Sequence, residues 1–486
     1  MAWLIKGREA VRMDFDSNYR MLIGGQLADS SEVIDVVNPA DGLRFASAPD
    51  CAPEQLDAAV AGAQQAFKSW GKTDIKYRQN LLKKAGEALI AHADEIARLF
   101  TREQGRPLAG ARSEVITGAS WLTAYSDIEL PEQVIDKGDG QYIQVRHVPL
   151  GVVCAISPWN FPINLSLWKI APALAAGNTI VLKPSPFTPL CMLKIGELLK
   201  DIFPPGVLNI ISGSDNLGPL MTAHPGFAKI SFTGSTETGK RVMETAARDL
   251  KRLTLELGGN DAAIVLPDVD LEKTALQIFM GAFFNTAQIC IATKRLYIHE
   301  AIYDEMKTLL IGLARTIKIG DGTEQGTILG PVQNRRQFDR VRALIDDAKA
   351  SGLTVIEGAE VPKNGGFFIP ITLVDNPPDQ SRVVQEEAFG PVLPLLRFSD
   401  IDEVVDRANA SEYGLAGAVW SSDVELAVSI ASRLETGTVW INQNLKVRPD
   451  TPFAGHKQSG FGIENGLEGM LEYMIPQAIY IPKPAE

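Results

Sequence analysis

The stretch FAKISFTGSTETGKRVMETAARDLKRLTLELGG, residues 227–259, contains two apolar strands with a helix between them. The first strand leads into a turn that contains glycine, and the helix leads into the strand LTLEL. Strands that alternate with helices and are buried on both faces form a parallel sheet with right-handed crossovers. This stretch therefore predicts a parallel sheet covered by helices.

The same alternation continues on both sides of the stretch. Residues 178–185, NTIVLKPS, predict a strand, and residues 261–358 form a second alternating block. Residues 439–444, VWINQN, predict a further strand near the C-terminus. Apolar residues recur at helical spacings in residues 53–105, whereas residues 140–156 predict strands that pair in a hairpin. The fold class predicted is α/β.

Composition limits the possible classes of function. The chain of 486 residues is too long for one compact core, so two or three domains are expected. Its formal net charge of −12 argues against nucleic acid or an anionic membrane as the main partner. No apolar run approaches the roughly 20 residues of a membrane span. The four scattered cysteines contain no CxxC pair, which predicts neither a disulfide framework nor a metal site and suggests a reducing compartment.

The N-terminal segment, residues 1–15, lacks the apolar core and small-residue cleavage site of a secretory signal. We therefore expect a cytoplasmic protein. The segment itself is either an ordered extension or the result of an alternative start at Met13.

Four motifs carry groups that could do chemistry, and each has an ordinary structural alternative. Gly234 and Ser235 in FTGSTETGK could approach a phosphate at a helix N-terminus, or could form a tight turn. Glu256 in LTLEL could be a base with a pKa raised by burial, or a strand-end side chain turned to solvent. Asn160 in SPWNFP could donate to an oxyanion, or cap the next helix. Cys290 in FFNTAQICIATKR could be a nucleophile, or a core thiol.

Seven motifs, taken in order along the chain, resemble those of the aldehyde dehydrogenase superfamily of NAD(P)-dependent enzymes. They are WNFP, LKPS, FTGST, LELGG, FFNTAQIC, EEAFGPV and PFAGHKQSGFG. The resemblance runs from about residue 20 to the C-terminus. Glu256 and Cys290 are 34 positions apart, as the glutamate and cysteine motifs of the family require. Each motif alone is weak evidence, but the ordered set is highly specific.

The resemblance implies oxidation of a small-molecule aldehyde to the carboxylic acid. In this interpretation the Cys290 thiolate attacks the carbonyl, and the Asn160 amide and the Cys290 backbone N–H hold the oxyanion. Hydride passes to the nicotinamide, and Glu256 activates the water that hydrolyses the resulting thioester. Lys169 matches a family lysine near the active site and is expected to support these residues. No metal is implied.

The resemblance also implies NAD as the cofactor. Lys183 would reach the adenosine ribose, Gly234 and Ser235 would lie near the pyrophosphate, and Glu387 and Phe389 would position the nicotinamide ribose and ring. The full set of implied cofactor residues is Ile156, Ser157, Trp159, Lys183, Ser185, Gly213, Gly234, Ser235, Glu387 and Phe389.

Pro186 departs from the pattern of many NAD-preferring relatives, which have an acidic residue at this position. A carboxylate there binds the ribose hydroxyls and repels the 2′-phosphate of NADP. Without this carboxylate NADP is excluded less strongly, although no arginine lies beside Pro186 to bind the 2′-phosphate. We therefore expect NAD with some tolerance of NADP.

The implied substrate tunnel is mostly apolar, which suits an aromatic or medium aliphatic aldehyde. Its predicted lining is Phe161, Leu165, Trp168, Phe284, Ile289, Ile291 and Phe453. Lys446 and Arg448 lie in the segment that crosses the tunnel mouth in relatives. They leave open an alternative substrate, a semialdehyde acid, although such residues more often belong to a solvated loop.

The resemblance divides the chain into three predicted parts. Residues 1–126 and 150–258 would form a Rossmann-like NAD-binding domain, and residues 259–458 an α/β catalytic domain. Residues 127–149 and 459–486 would form a small β element for oligomerisation, giving a homodimer or homotetramer.

Three other functions remain as alternatives. An enzyme that passes the thioester to another thiol is disfavoured, because Glu256 supplies a hydrolytic base. A non-redox thiol hydrolase usually needs a Cys–His pair, and none of the five histidines lies in a matching motif. An inactive binding protein is disfavoured by the intact set of Asn160, Glu256 and Cys290.

Overall fold

The computed structural model of the protein describes residues 13–138 and 140–483. Short strands open the described chain, the long strand Met474–Pro482 closes it, and buried strands alternate with helices between them. In chain order the strands are β1 (Met21–Ile23), β2 (Gln26–Ala28), β3 (Glu32–Asn38), β4 (Leu43–Asp50), β5 (Gln133–Asp136), β6 (Gln141–Pro149), β7 (Val152–Ile156), β8 (Thr179–Lys183), β9 (Leu208–Ile210), β10 (Lys229–Thr233), β11 (Arg252–Glu256), β12 (Asp261–Val265), β13 (Thr293–His299), β14 (Thr354–Glu357), β15 (Thr372–Asp375), β16 (Val392–Phe398), β17 (Tyr413–Gly414), β18 (Ala416–Trp420), β19 (Thr438–Ile441), β20 (His456–Lys457), β21 (Gly460–Phe461) and β22 (Met474–Pro482).

The helices cover the faces of the sheets and bury their apolar sides. The predicted helical region, residues 53–105, contains three of them. In chain order the α-helices are α1 (Pro53–Trp70), α2 (Ile75–Ala91), α3 (Ala93–Gln104), α4 (Leu108–Tyr125), α5 (Pro162–Ala175), α6 (Leu190–Leu199), α7 (Leu217–Ala223), α8 (Thr236–Ala246), α9 (Leu271–Phe283), α10 (Tyr303–Thr316), α11 (Arg335–Ala350), α12 (Arg382–Gln385), α13 (Ile401–Asn409), α14 (Val424–Ala431) and α15 (Gly466–Leu471).

Two mostly parallel sheets form the body of the molecule. The first has the order β2-β1-β9-β8-β7-β10-β11-β21, and its run from β9 to β11 is parallel. The second has the order β14-β15-β16-β13-β12-β18-β19, and only its edge strand β14 is antiparallel. The predicted α/β fold class is therefore confirmed.

One predicted strand pairing is wrong. Strand β6 does not form a hairpin with β7; it pairs antiparallel with β5 and β22 in a separate three-stranded sheet. Strand β7 is apolar on both faces and buried, so it lies inside the first sheet, between β8 and β10. Strand β6 carries polar residues along its length and is only half-buried. Strands covered on both faces join parallel sheets, whereas half-buried strands suit antiparallel sheets with one open face.

The predicted division into domains stays a prediction, and one short strand does not follow it. Strand β21, which the division assigns to the oligomerisation element, pairs with β11 in the first sheet.

The role of the N-terminal segment, residues 1–15, lies largely outside the described residues. Within residues 13–138 and 140–483, no helix is long and apolar enough to cross a membrane, and no cluster of three or more His, Cys, Asp or Glu side chains could hold a metal ion.

The carboxyl ends of four neighbouring strands meet at one edge of the first sheet. These strands end at Ile156, Lys183, Thr233 and Glu256. Open parallel sheets bind ligands at this edge. From Glu256 the chain crosses directly to β12 in the second sheet, so the edge of the first sheet adjoins the second.

Candidate active site

Two cavities lie where the sheets meet. The larger has a volume of about 770 Å³ and is lined by seven of the predicted cofactor residues: Ile156, Ser157, Trp159, Lys183, Ser185, Gly234 and Ser235. The smaller has a volume of about 230 Å³ and contains both Cys290 and Glu256. Its wall includes all seven residues predicted for the substrate tunnel: Phe161, Leu165, Trp168, Phe284, Ile289, Ile291 and Phe453. Gly213, Glu387, Phe389, Asn160 and Lys169 line neither cavity.

Glu256 is the last residue of β11 and is buried, which excludes the alternative of a side chain turned to solvent. Neither of its carboxylate oxygens accepts a hydrogen bond of normal geometry within the described structure. Burial is the main reason that the pKa of Glu256 rises to about 8, although the charge of Lys169 and the nearby Cys290 thiol lower it. A carboxylate with a pKa near neutrality suits a general base.

Cys290 follows a backbone segment of unusual conformation. The three residues Asn285, Thr286 and Ala287 all have left-handed φ values, of 53°, 57° and 60°. Burial, and next the negative charge of Glu256, hold the pKa of the Cys290 thiol well above its ordinary value, while the charge of Lys294 lowers it. The thiol is therefore neutral at pH 7, and loss of the Glu256 charge would favour the thiolate.

The Asn160 side chain lies against the same loop. Its Nδ2 donates to the carbonyl of Gln288 at 2.9 Å, two residues before Cys290. The alternative role of Asn160 as a helix cap is excluded, because α5 begins at Pro162 and its N-cap position is Phe161. An amide donor next to a thiol has the composition of an oxyanion hole.

Lys169 affects Glu256 electrostatically. Its Nζ forms a buried ion pair with Glu464, at 2.8 Å from Oε1. The charge of Lys169 lowers the pKa of Glu256, whereas the charge of Glu464 raises it. The pair therefore tunes the proposed base without contacting the smaller cavity.

The larger cavity contains donors suited to a phosphorylated ligand. Ser235 is the N-cap of α8, and its Oγ accepts from the backbone N–H of Thr238 at 3.3 Å. The first turn of α8 thus opens onto the cavity with its partial positive charge. Lys183 is buried, and among the described residues its Nζ donates only to the Pro184 carbonyl, at 3.4 Å. Burial lowers the pKa of Lys183 to about 8, and the charges of Asp215 and Asp50 act against that shift.

Glu387 and Phe389 lie close to the loop that contains Cys290. Glu387 Oε1 accepts from the backbone N–H of Gly259 at 3.0 Å and lies 3.3 Å from Lys294 Nζ. Lys294 in turn donates to the carbonyl of Cys290 at 2.5 Å. The Phe389 ring packs edge-on against Trp159, with ring centres 5.4 Å apart. These contacts connect the wall of the larger cavity to the loop that contains Cys290.

Gly259, three residues after Glu256, lies against the loop that contains Cys290. A Cβ at this position would lie 2.6 Å from the carbonyl oxygen of Cys290. Only glycine allows the segment after β11 to approach the loop that contains Cys290 this closely.

Two residues of the site, Lys294 and Arg106, were not predicted from the sequence. Lys294 follows Cys290 by four residues, and its place in an apolar, small-residue segment is the one signal that could have identified it. Arg106 lies between α3 and α4, more than 180 residues from Cys290, and no motif marks it. It nevertheless lines the smaller cavity.

Known proteins match this chain along nearly all its length. The profile of the aldehyde dehydrogenase family matches residues 27–479. Aldehyde dehydrogenase LUC3 of Fusarium sp is 41% identical over 473 residues, covering 97% of this chain and 100% of that protein. The NAD+ complex of an aldehyde dehydrogenase from Bacillus cereus has a TM-score of 0.94 at 34% identity, covering 96% of this chain and 97% of that one. Betaine aldehyde dehydrogenase from Staphylococcus aureus in complex with NAD+ has a TM-score of 0.93 at 32% identity, covering 96% of each chain.

Proposed function

The chain belongs to the aldehyde dehydrogenase family of oxidoreductases, and from this premise we propose that it oxidises an aldehyde to the carboxylic acid through an acyl intermediate on Cys290. The observation that carries the proposal is the presence of Cys290 and Glu256 in the wall of one small, mostly apolar cavity. A thiol nucleophile and a buried base in one cavity are the two groups that acyl formation and hydrolysis need.

Each of the four predicted catalytic residues has one role in this proposal. The Cys290 thiol releases its proton to solvent as its sulfur adds to the aldehyde carbonyl, and the Asn160 amide and the Cys290 backbone N–H donate to the oxygen that becomes negative. After oxidation the acyl group remains on the sulfur. Glu256 then takes a proton from water, which attacks the thioester and releases the acid. Lys169 keeps the pKa of Glu256 from rising further.

The larger cavity supports NAD as the cofactor, because its donors match the ligand. The first turn of α8 offers backbone N–H groups to a pyrophosphate, and Ser235 fixes that turn. Lys183, a buried cation with one weak hydrogen bond, would donate to the adenosine ribose. NAD, when bound, supplies the hydride acceptor.

The smaller cavity supports an uncharged aromatic or medium aliphatic aldehyde. At its rim Leu445 and Val447 contribute to the wall, whereas the intervening Lys446 and the next residue, Arg448, do not. Lys446 is exposed, and the Arg448 guanidinium pairs with Asp450, its Nε donating to Oδ1 at 2.8 Å. These contacts disfavour the alternative of an anionic semialdehyde acid. No histidine lines either cavity, which disfavours a Cys–His hydrolase.

The test is NADH formation by the purified protein with a panel of benzaldehydes, aliphatic aldehydes, amino-aldehydes and acid semialdehydes. We expect activity with NAD, highest for aromatic or medium aliphatic members. Conversion of an ester or thioester substrate without any NADH from the whole panel would favour the thiol hydrolase instead.

Cofactor preference gives a separate prediction. Asp215 lines the same cavity as Lys183 and Pro186, and its charge raises the pKa of Lys183. We propose that its carboxylate replaces the acidic residue absent at Pro186, so NAD is favoured over NADP. We expect Asp215→Asn to tighten NADPH binding by about tenfold relative to NADH, since one like-charge contact is lost.

Fluorescence titration with NADH and NADPH measures this preference directly. Asp201→Asn is the matched control, because it removes the same charge from an exposed position outside the cavity. Equal NADPH affinity in wild type and Asp215→Asn would rule out this role for Asp215.

We propose a cytoplasmic homo-oligomer. The sheet of β5, β6 and β22 leaves large apolar side chains in solvent, including Val134 at 61% and Tyr480 at 64% exposure. Such side chains on an open sheet favour burial against a second copy. Sedimentation velocity distinguishes a dimer or tetramer from the monomer, whose mass is 52.7 kDa.

A further inference from the structure

Arg106 and Glu114 form a buried ion pair in the wall of the smaller cavity. Their side chains are only 2% and 1% exposed. Burial lowers the pKa of Arg106 and raises that of Glu114, and the charge of each partner opposes the shift of the other. Because desolvation offsets attraction in such a pair, its net contribution to stability is small. Its hydrogen bonds indicate a more specific role.

Arg106 donates to the Asn160 backbone and to the segment that leads to Cys290. Its Nη2 donates to the main-chain carbonyl of Asn160 at 2.6 Å, and its Nε donates to Oδ1 of Asn285 at 3.0 Å. Asn285 Nδ2 donates to the same Asn160 carbonyl at 3.2 Å. The three residues therefore form a closed set of hydrogen bonds. It joins the oxyanion donor to the segment that leads to Cys290.

That segment needs support from its surroundings. Asn285, Thr286 and Ala287 are consecutive left-handed residues without a glycine among them. This conformation is unfavourable for residues with a Cβ, and it persists only where neighbouring groups hold it. Arg106 is one of these groups, and it is also bonded to Asn160.

Glu114 extends the same set of contacts to α5. Its Oε1 accepts from the backbone N–H groups of Ile163 and Asn164, both at 3.1 Å, in the first turn of that helix. The Arg106 guanidinium lies 4.1 Å from the ring centre of Phe161, just before α5. The ion pair thus fixes the start of α5, the Asn160 backbone and the nucleophile segment relative to one another.

We propose that Arg106, oriented by Glu114, is a positioning residue that holds the Asn160 amide and the Cys290 sulfur at the spacing required for attack on the aldehyde. This inference rests on the proposed function. Arg106 acts through Asn160, so its contribution belongs to the step in which the oxyanion forms. Lysine cannot replace it, because a single ammonium lacks the planar fork that donates in several directions at once.

The experiment is a double-mutant cycle with Arg106→Lys and Asn160→Ala, read as the first-turnover rate of NADH formation. We expect Arg106→Lys alone to slow this step by about 10²-fold, as a displacement of about 1 Å between reacting groups does. In the Asn160→Ala background the same substitution should change the rate by no more than about twofold. If the role of Arg106 were purely structural, Arg106→Lys would slow the first turnover by the same factor in the wild-type and Asn160→Ala proteins.

Two measurements separate positioning from loss of fold or cofactor. NADH affinity and the rate of Cys290 alkylation by iodoacetamide, which forms no oxyanion, should stay near wild-type values in Arg106→Lys. Arg78→Lys is the matched control: Arg78 is also buried and donates to a main-chain carbonyl, that of Ala175 at 2.9 Å, but it lines neither cavity.

If Arg106→Lys does not fold, the same double-mutant cycle is carried out with Glu114→Gln and Asn160→Ala. Its control is Glu103→Gln, because Glu103 is equally buried and accepts from the first-turn N–H groups of α6. A wild-type first-turnover rate in Arg106→Lys, or equal slowing with and without the Asn160 amide, would overturn the proposal. Failure of the proposed function is distinguishable, because wild-type protein would then produce no NADH from any aldehyde.

Discussion

Replacing Cys290 with alanine is expected to lower kcat/KM for aldehyde oxidation by about 10⁴-fold or more, because no other group can form the covalent intermediate. Cys290 is the one cysteine in the wall of the smaller cavity. The others are buried elsewhere, and burial raises the pKa of the Cys51 and Cys154 thiols to about 12. Steady-state NADH formation measures the effect.

Cys51→Ala is the matched control, since it removes a thiol of the same kind from outside both cavities. It should retain wild-type kcat/KM. NADH binding by Cys290→Ala should also be unchanged, which separates loss of the nucleophile from loss of the fold. Aldehyde oxidation by Cys290→Ala at the wild-type rate would exclude Cys290 as the nucleophile.

Glu256→Gln is expected to slow turnover by about 10²- to 10⁴-fold, the usual contribution of a general base. Most of this decrease in the turnover rate should come from slower hydrolysis of the thioester. The amide cannot accept a proton from water, but it leaves the Cys290 sulfur able to add to the aldehyde. The acyl intermediate should therefore form in Glu256→Gln and persist.

The same residue predicts the pH dependence of the wild-type enzyme. The pKa of Glu256 is raised to about 8, so the carboxylate is mostly protonated at pH 7 and gains its basic form as the pH rises. We expect the rate of thioester hydrolysis to increase with pH through about 8, and this increase to be absent in Glu256→Gln. A hydrolysis rate independent of pH between 6 and about 9 in wild type would contradict a base of this kind.

Much of the fold and site follows from local signals in the sequence. The alternation around residues 227–259 predicts the parallel sheets, because two short strands flank one helix with a clear period. The family resemblance, carried by seven ordered motifs, is confirmed by the profile match. The seven predicted substrate residues share one cavity, but their contact with an aldehyde remains a proposal.

The features that sequence analysis missed depend on contacts between distant parts of the chain. Strand β6 pairs with β22, more than 300 residues later, and no local pattern encodes that partner. Arg106 reaches Asn160 and Asn285 only after folding brings three separate segments together. Likewise Asp215 follows β9, and only the cavity reveals that it lies with Lys183.

The most direct test of the central claim is to quench the wild-type enzyme in acid during turnover with NAD and benzaldehyde, and then to map its peptides by mass spectrometry. Covalent catalysis by Cys290 predicts one acyl group on the peptide that contains this residue, with Cys51, Cys154 and Cys191 unmodified. The acyl group should be more abundant in Glu256→Gln. An acyl group on a different residue, or continued NADH production after Cys290 has been fully alkylated, would contradict it.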